Sequence, residues 1–151
     1  MTTTDPLLMS AAIGRRVIAQ DTADEIGEVK AFVVDRSGRT IERLQIAGRT
    51  RHARLVDWSD IASFGPDAVM VVAHDRVHEP VDDRDAEIVG GNVDVLGARV
   101  LDTAGFEHGT VADFEFDPDS GSIVGVVAGD AHIIRDRIRS LGTWALVVDP
   151  D

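Results

Sequence analysis

Ile26-Gly-Glu-Val-Lys-Ala-Phe-Val-Val-Asp35 decides how this chain is built. It is an apolar, β-branched run that opens on a glycine and ends on an aspartate. His108-Gly-Thr-Val-Ala-Asp-Phe-Glu-Phe-Asp117 answers it later in the chain. Gly27 matches Gly109, Val29 matches Val111, Phe32 matches Phe114 and Asp35 matches Asp117, at a constant offset (109 − 27 = 117 − 35 = 82). A constant offset over a whole stretch marks two copies of one structural unit.

Working outward, each copy opens on an apolar-Gly-x-x-Val stretch, Ile13-Gly-Arg-Arg-Val-Ile and Leu96-Gly-Ala-Arg-Val-Leu. That reads as a turn feeding a short strand. The long central strand then runs to Asp35 or Asp117, and Gly27 and Gly109 within it suit a bulge or a close backbone approach. Asp35-Arg-Ser-Gly38 and Asp117-Pro-Asp-Ser-Gly121 read as hairpin turns with glycine in the left-handed slot. Third strands follow at residues 40–46 and 122–128, the second nearly all apolar and so expected to be covered on both faces. Fourth strands follow at 51–57 and 129–134. The copies re-register at Ile61-Ala-Ser-Phe-Gly65 and Ile138-Arg-Ser-Leu-Gly142, where the offset has fallen (142 − 65 = 77). Copy two has therefore lost five residues of this hairpin (82 − 77 = 5). Ser59 to Phe64 reads as one helical turn, capped by Ser59 and closed by Gly65. Final strands occupy residues 68–72 and 145–148.

The expected organisation is an all-β chain: a mobile tail over 1–12 with Leu7 and Leu8 tucked against the first unit, a unit over 13–73, a charged linker over 74–93, and a second unit over 94–151. A unit of about sixty residues sits near the lower limit for a self-sufficient core, so each half is expected to lean on the other or on another chain.

Composition narrows the function classes. The chain has 151 residues and no cysteine, which excludes disulfides and thiolate chemistry. No apolar run reaches the ~20 residues of a membrane-spanning helix, and the N-terminus lacks the pattern of a signal peptide. The expected location is cytoplasmic. The net charge is −12 but uneven. Residues 13–73 balance nine acids against nine bases; residues 94–151 carry eleven acids and four bases, a surplus of seven. Direct binding to nucleic acid is not expected, because phosphate contacts need clustered Lys and Arg.

Few residues carry a chemical signal. His74 and His78 have the i, i+4 spacing of a zinc-binding helix, but Pro80 leaves little room for a helix and no third ligand is in view, so the stretch reads as linker. Asp35 and Asp117 read as turn residues that accept backbone N–H groups. Arg43, Arg49, Arg51, His52 and Arg54 form the one basic patch, on the hairpin that copy two has shortened. It suits an acidic partner, a phosphate, or the acidic second unit itself. Trp58 reads as a plug for the end of a small barrel, with partner contact as the alternative. Trp144 has no aromatic counterpart in copy one and reads as an interface residue. No Gly-x-Ser-x-Gly elbow, P-loop or Gly-x-Gly-x-x-Gly is present.

With these motifs assembled, both copies resemble the PRC-barrel family. The resemblance rests on the opening glycine, the Gly-x-Val before a long strand ending in Asp, the glycine turn, and Val56-Asp-Trp58-Ser-Asp-Ile61 with its closing glycine. Copy two departs from the pattern: Arg135 stands where Trp58 stands. The family includes the cytoplasmic part of the photosynthetic reaction-centre H subunit and the ribosome-maturation factor RimM. The resemblance implies two tandem small β-barrels, each with a short helical turn before the last strand. It implies a non-catalytic adaptor, with no cofactor or metal, that contacts a protein partner or self-associates as a homodimer. An accessory role in RNA processing or ribosome assembly, of the RimM C-terminal type, is the alternative. The contact surfaces expected are the arginine hairpin with Trp58 and Trp144, and the apolar third strand of copy two (Ile123, Val124, Val126 and Val127).

Overall fold

The computed structural model describes residues 5–48 and 52–151. The chain begins with a two-residue strand β1 (Leu7–Leu8) and one helical turn α1 (Met9–Ala12). The first half then builds β2 (Arg16–Ala19), β3 (Glu25–Val34), β4 (Ile41–Ala47), β5 (Arg54–Asp57), a 3-10 turn Trp58–Asp60, β6 (Ile61–Phe64) and β7 (Val69–Val71). These six strands form one sheet in the order β5-β4-β3-β2-β7-β6. Neighbours are antiparallel except β2 and β7, which are parallel. The two edge strands, β5 and β6, follow each other in the chain, and the 3-10 turn carries the backbone from one edge to the other. The sheet is curled on itself, but no ladder joins those edges.

A 3-10 turn His74–Arg76 and a short helix α2 (Asp83–Val89) occupy the stretch read as linker. The second half repeats the strand sequence: β8 (Arg99–Asp102), β9 (Glu107–Thr110), β10 (Asp113–Phe116), β11 (Ile123–Ala128), β12 (Ala131–Ile134), a 3-10 turn Arg135–Arg137, β13 (Ile138–Leu141) and β14 (Leu146–Val148). Here β9 and β10 together cover the counterpart of β3, interrupted at Val111 and Ala112. Val111 N–H bonds Ala98 in the opening turn, whereas Ala112 N–H bonds Val127 in β11. The second half is therefore two sheets, β13-β14-β8-β9 and β1-β10-β11-β12. The shortened hairpin explains the break. Glu28 in β3 is held by Ala47 of β4, but β11 ends before it can reach β9. The described residues are 46% strand and 14% helix, so the all-β expectation holds at the level of class.

The helical turn falls one residue earlier than the sequence suggested. It spans Trp58–Asp60, and Ile61 to Phe64 are a strand. Ser59 does not cap it. Val71 and Val69 pair with Ile61 and Phe64, and that antiparallel ladder, with a β-branched residue at its start, outweighs the local capping signal. In each half the turn precedes the last two strands rather than the last one.

The halves meet around a local two-fold. Thr40 bridges Ser122, its own repeat counterpart. Ile41 N–H donates to Gly121 O at 2.8 Å, and Ile123 N–H donates to Arg39 O at 2.8 Å. Each hairpin turn then seats in the other half. Gly121 (φ +76°) lies under the Trp58 ring, so close that a Cβ there would stand 2.8 Å from its carbons. Gly38 (φ +74°) faces Ile138, Leu141 and Leu146. Phe116 is fully buried against Phe32 and Phe64, at ring-centroid distances of 5.4 Å each, and Trp58, at 6.1 Å. Removing a Phe side chain from water contributes about 1.5–3 kcal/mol. One core cluster thus runs through both halves, as small units with little interior of their own require.

The N-terminal segment crosses over. Leu7 and Leu8 pair with Phe116 and Glu115 of β10, in the second half and not the first. Met9 is fully buried, and Ser10 donates its N–H (3.0 Å) and its hydroxyl to the two carboxylate oxygens of Asp113. The exposed edge of β10 supplies the backbone partners that hold this segment, so residues 7–12 are a structural element, whereas the sequence read them as tail.

The residues read as linker are docked as well. Asp82 caps α2 by accepting Asp85 N–H at 2.8 Å. Arg84, buried, donates to the carbonyls of Val34 (2.8 Å), Asp35 (3.0 Å) and Leu141 (2.7 Å). It ties α2 to both halves. Burial pulls its pKa down. Its Nη1 has no hydrogen-bond partner, with the Glu87 carboxylate 3.6 Å away.

Candidate interaction surface

The basic patch is not a single free surface. Arg43 lies in β4, where its neighbour in register is Asp57 of β5. Its Nε donates to Asp57 at 2.9 Å, and its Nη1 donates to Asp85 of α2 at 3.0 Å, with Asp82 at 3.6 Å. Burial works against its charge, but Asp85 and Asp57 more than offset this and raise its pKa. Arg43 therefore holds the chain's own acidic helix. The sequence placed α2 in a linker, so this internal partner was not visible as one.

His78 completes the network. Its Nε2 lies 2.8 Å from Asp57, and its backbone N–H and C=O exchange bonds with Leu55 on the open edge of β5. Burial opposes protonation of His78, but the Glu79 carbonyl and Asp57 outweigh it and raise the pKa. Asp57 is shifted down: burial opposes its charge, and His78 and Arg43 prevail. His74 pairs separately with Asp21 at 2.7 Å. The two histidines thus serve different carboxylates, and no group of three or more metal-ligating side chains is assembled among the described residues.

Arg49 and Arg51 lie outside the described residues. His52 is exposed and lines a depression with Lys30 and Gln45. Arg54 lines a second open depression with Asp24, Glu25 and Glu28, a setting with more acid than base. Trp58 stacks on Phe64 at 5.9 Å and covers Gly121, so its ring is spent on the junction between the halves. Asp35 and Asp117 are turn residues. Asp35 accepts the N–H groups of Arg39 and Thr40 at 3.3 Å, and Asp117 accepts that of Asp119 at 2.8 Å.

Trp144 is a sequence candidate that the structure leaves outward. It is 70% exposed, and the Arg99 guanidinium sits 3.9 Å from its ring centroid. Arg99 is itself held by Glu107 at 3.1 Å, so the indole is backed by a fixed cation rather than left to rotate. The apolar third strand of copy two, β11, turns out to be covered on one face. Ile123 and Val126 are buried, Val127 is half-buried, and Val124 is 38% exposed. Ile123 and Val126 are thus core residues and not contact residues.

Of the exposed apolar residues that the sequence did not single out, Phe106 (68%), Val81 (62%) and Ile134 (52%) are the most exposed among the described residues. Phe106 stands in the β8–β9 turn, where an aromatic ring is an outlier among small and polar turn residues. Ile134 had a weaker signal. Of two adjacent isoleucines in a strand, one must point away from the core. The second half also holds a buried carboxylate, Asp102. It accepts His108 at 2.7 Å and the N–H groups of Ala104 and Phe106. Those contacts, His108 first, lower its pKa and fix the turn that presents Phe106.

No family model and no curated protein matches this chain.

Proposed function

We propose that the chain is a tandem PRC-type protein that works as a non-catalytic protein-interaction module in the cytoplasm. The barrel assignment draws support from strand order. In the first half, β5-β4-β3-β2-β7-β6 form one curled sheet with a parallel pair at β2/β7, and the 3-10 turn links its two edge strands. The second half keeps the same strand order with a parallel pair at β14/β8, divided between two sheets. Each half is read as a barrel closed by its chain at the 3-10 turn.

The observation that carries the functional reading is the outward apolar set of the second half. Trp144, Phe106 and Ile134 stand on a half that also holds the acidic surplus. Exposed aromatic rings with a fixed backing are typical anchors of protein interfaces. The partner expected is a protein with basic side chains around an apolar centre, a second copy of this chain included.

The test is affinity capture from the source cells with wild type, Trp144→Ala and Phe106→Ser. Both substitutions are at exposed positions, so the fold is expected to survive. A partner retained by wild type and depleted at least tenfold by either variant supports the reading. Capture that is unchanged by both variants overturns it. Light scattering on a sizing column at low and high salt identifies a homodimer if the partner is a second copy.

A further inference from the structure

The two halves carry the same outward sheet face, and among the described residues only one of them is covered by a helix. In the first half, Val33, Arg43 and Asp57 form a row across β3, β4 and β5. Residues paired in register point to the same side. The chain itself covers this row. His78 bridges Leu55 on the edge of β5, and α2 then lies over the sheet with Asp85 on Arg43. Val33 is fully buried there.

The counterpart row in the second half is Glu115, Gly125 and Ile134, extended by Leu8 of the crossing N-terminal strand. Among the described residues nothing equivalent to α2 lies on it. Ile134 and Leu8 are 52% and 40% exposed. His132 is the counterpart of Leu55, since both stand two residues before the end of the strand that leads into the 3-10 turn. It pairs with Val127 as Leu55 pairs with Gln45. In an antiparallel ladder alternate residues turn their N–H and C=O away from the neighbour. Leu55 uses those groups to hold His78; the same groups of His132 face the open edge of β12.

The chemistry of the row is reversed between the halves. Arg43 of the first half meets acids on α2. In the second half its place is taken by Gly125, which is buried beneath the His132 ring, and the charge of the row is the Glu115 carboxylate. One oxygen of Glu115 takes His132, and the other is available. The surrounding half carries eleven acids against four bases. An acidic helix like α2 is repelled here, and a basic one is favoured.

We infer that the outer face of β10–β12 is a docking surface for a basic segment of a partner protein. That segment bridges the edge of β12 at His132 and lays a short helix over Leu8, Glu115 and Ile134. This inference rests on the interaction reading above and adds the mode of binding and the charge of the partner.

The probe is a synthetic peptide with the sequence of residues 74–93 carrying Asp83→Arg, Asp85→Arg and Glu87→Arg, which keeps the Asp82 cap and turns six acids and two bases into three acids and five bases. The unmodified 74–93 peptide is the control. Each is titrated into the intact 15N-labelled chain. The expected result is saturable shifts of the amides of Glu115, Ala131, His132 and Ile134 with the arginine peptide, and at least tenfold weaker binding of the control. Glu115→Gln and Ile134→Asp, both surface changes, are expected to weaken the arginine peptide at least tenfold while leaving the rest of the spectrum in place. Equal affinity for the two peptides, or no shifts at β10 and β12, overturns the docking surface. If that happens while Trp144→Ala still depletes a captured partner, this surface is wrong and the interaction reading stands. If capture is also indifferent to Trp144 and Phe106, both fail.

Discussion

Gly121→Ala isolates what holds the two halves together. Gly121 has φ +76°, and an added Cβ would stand 2.8 Å from Cδ2 and Cε2 of Trp58 and 3.1 Å from its Nε1. Two costs follow. An L-residue in the left-handed region costs about 1 kcal/mol relative to glycine. Forcing a methyl group into a filled contact adds about 1–3 kcal/mol. Gly129→Ala is the internal control, because Gly129 has φ +60° and nothing within 4 Å of the added Cβ. It carries the first cost alone. The expected losses are about 1 kcal/mol for Gly129→Ala and about 2–4 kcal/mol for Gly121→Ala. Urea unfolding followed by circular dichroism measures both, with an unchanged slope required for the comparison. In a Trp58→Ala background the steric part has no ring to strike, so Gly121→Ala is expected to fall to about 1 kcal/mol, a coupling detectable in a double-mutant cycle. Equal losses for the two glycines, or full additivity with Trp58→Ala, would refute the seating of the turn under Trp58.

Other expectations follow from the same contacts. Ser10→Ala leaves the buried Asp113 carboxylate short of one donor, the Ser10 hydroxyl, and is expected to cost about 1–3 kcal/mol by denaturant unfolding. Met9→Ala removes a fully buried side chain and is expected to cost about 2–5 kcal/mol. His78 has a folded pKa above its ordinary value of 6.5. Its stabilising contribution is therefore complete below about pH 6.5 and is lost as pH rises through the raised value. Asp57 is shifted the other way from 3.8, so its contribution is present above that pH and is lost as pH falls through the lowered value. Stability measured against pH is expected to decline as pH rises through the raised His78 value, and His78→Gln is expected to flatten that decline.

The repeat was legible in the sequence because its signals are local. Gly38 and Gly121 each need a left-handed turn, Asp35 and Asp117 each cap it, and the β-branched runs around them alternate as strands do. What the sequence left open was long-range. Leu7 and Leu8 have no local mark to say which half they join; the edge of β10 decides it. Arg43 reads as surface charge until α2 brings Asp85 onto it, and a helix of seven residues surrounded by acids looks like linker. Trp58 was legible as a plug, but it covers the turn of the opposite half. Ile134 became conspicuous only when the register of β12 put it on the face that α2 covers in the first half.

The most direct test of the account is hydrogen exchange on the chain alone and in complex with the partner that wild type retains and Trp144→Ala loses. The account predicts new protection in the second half, at the β8–β9 turn around Phe106, at residues 143–145 and along β12, with the first half unchanged. Protection confined to the first half, or no change at those second-half sites, would contradict the claim that the second half presents the binding surface.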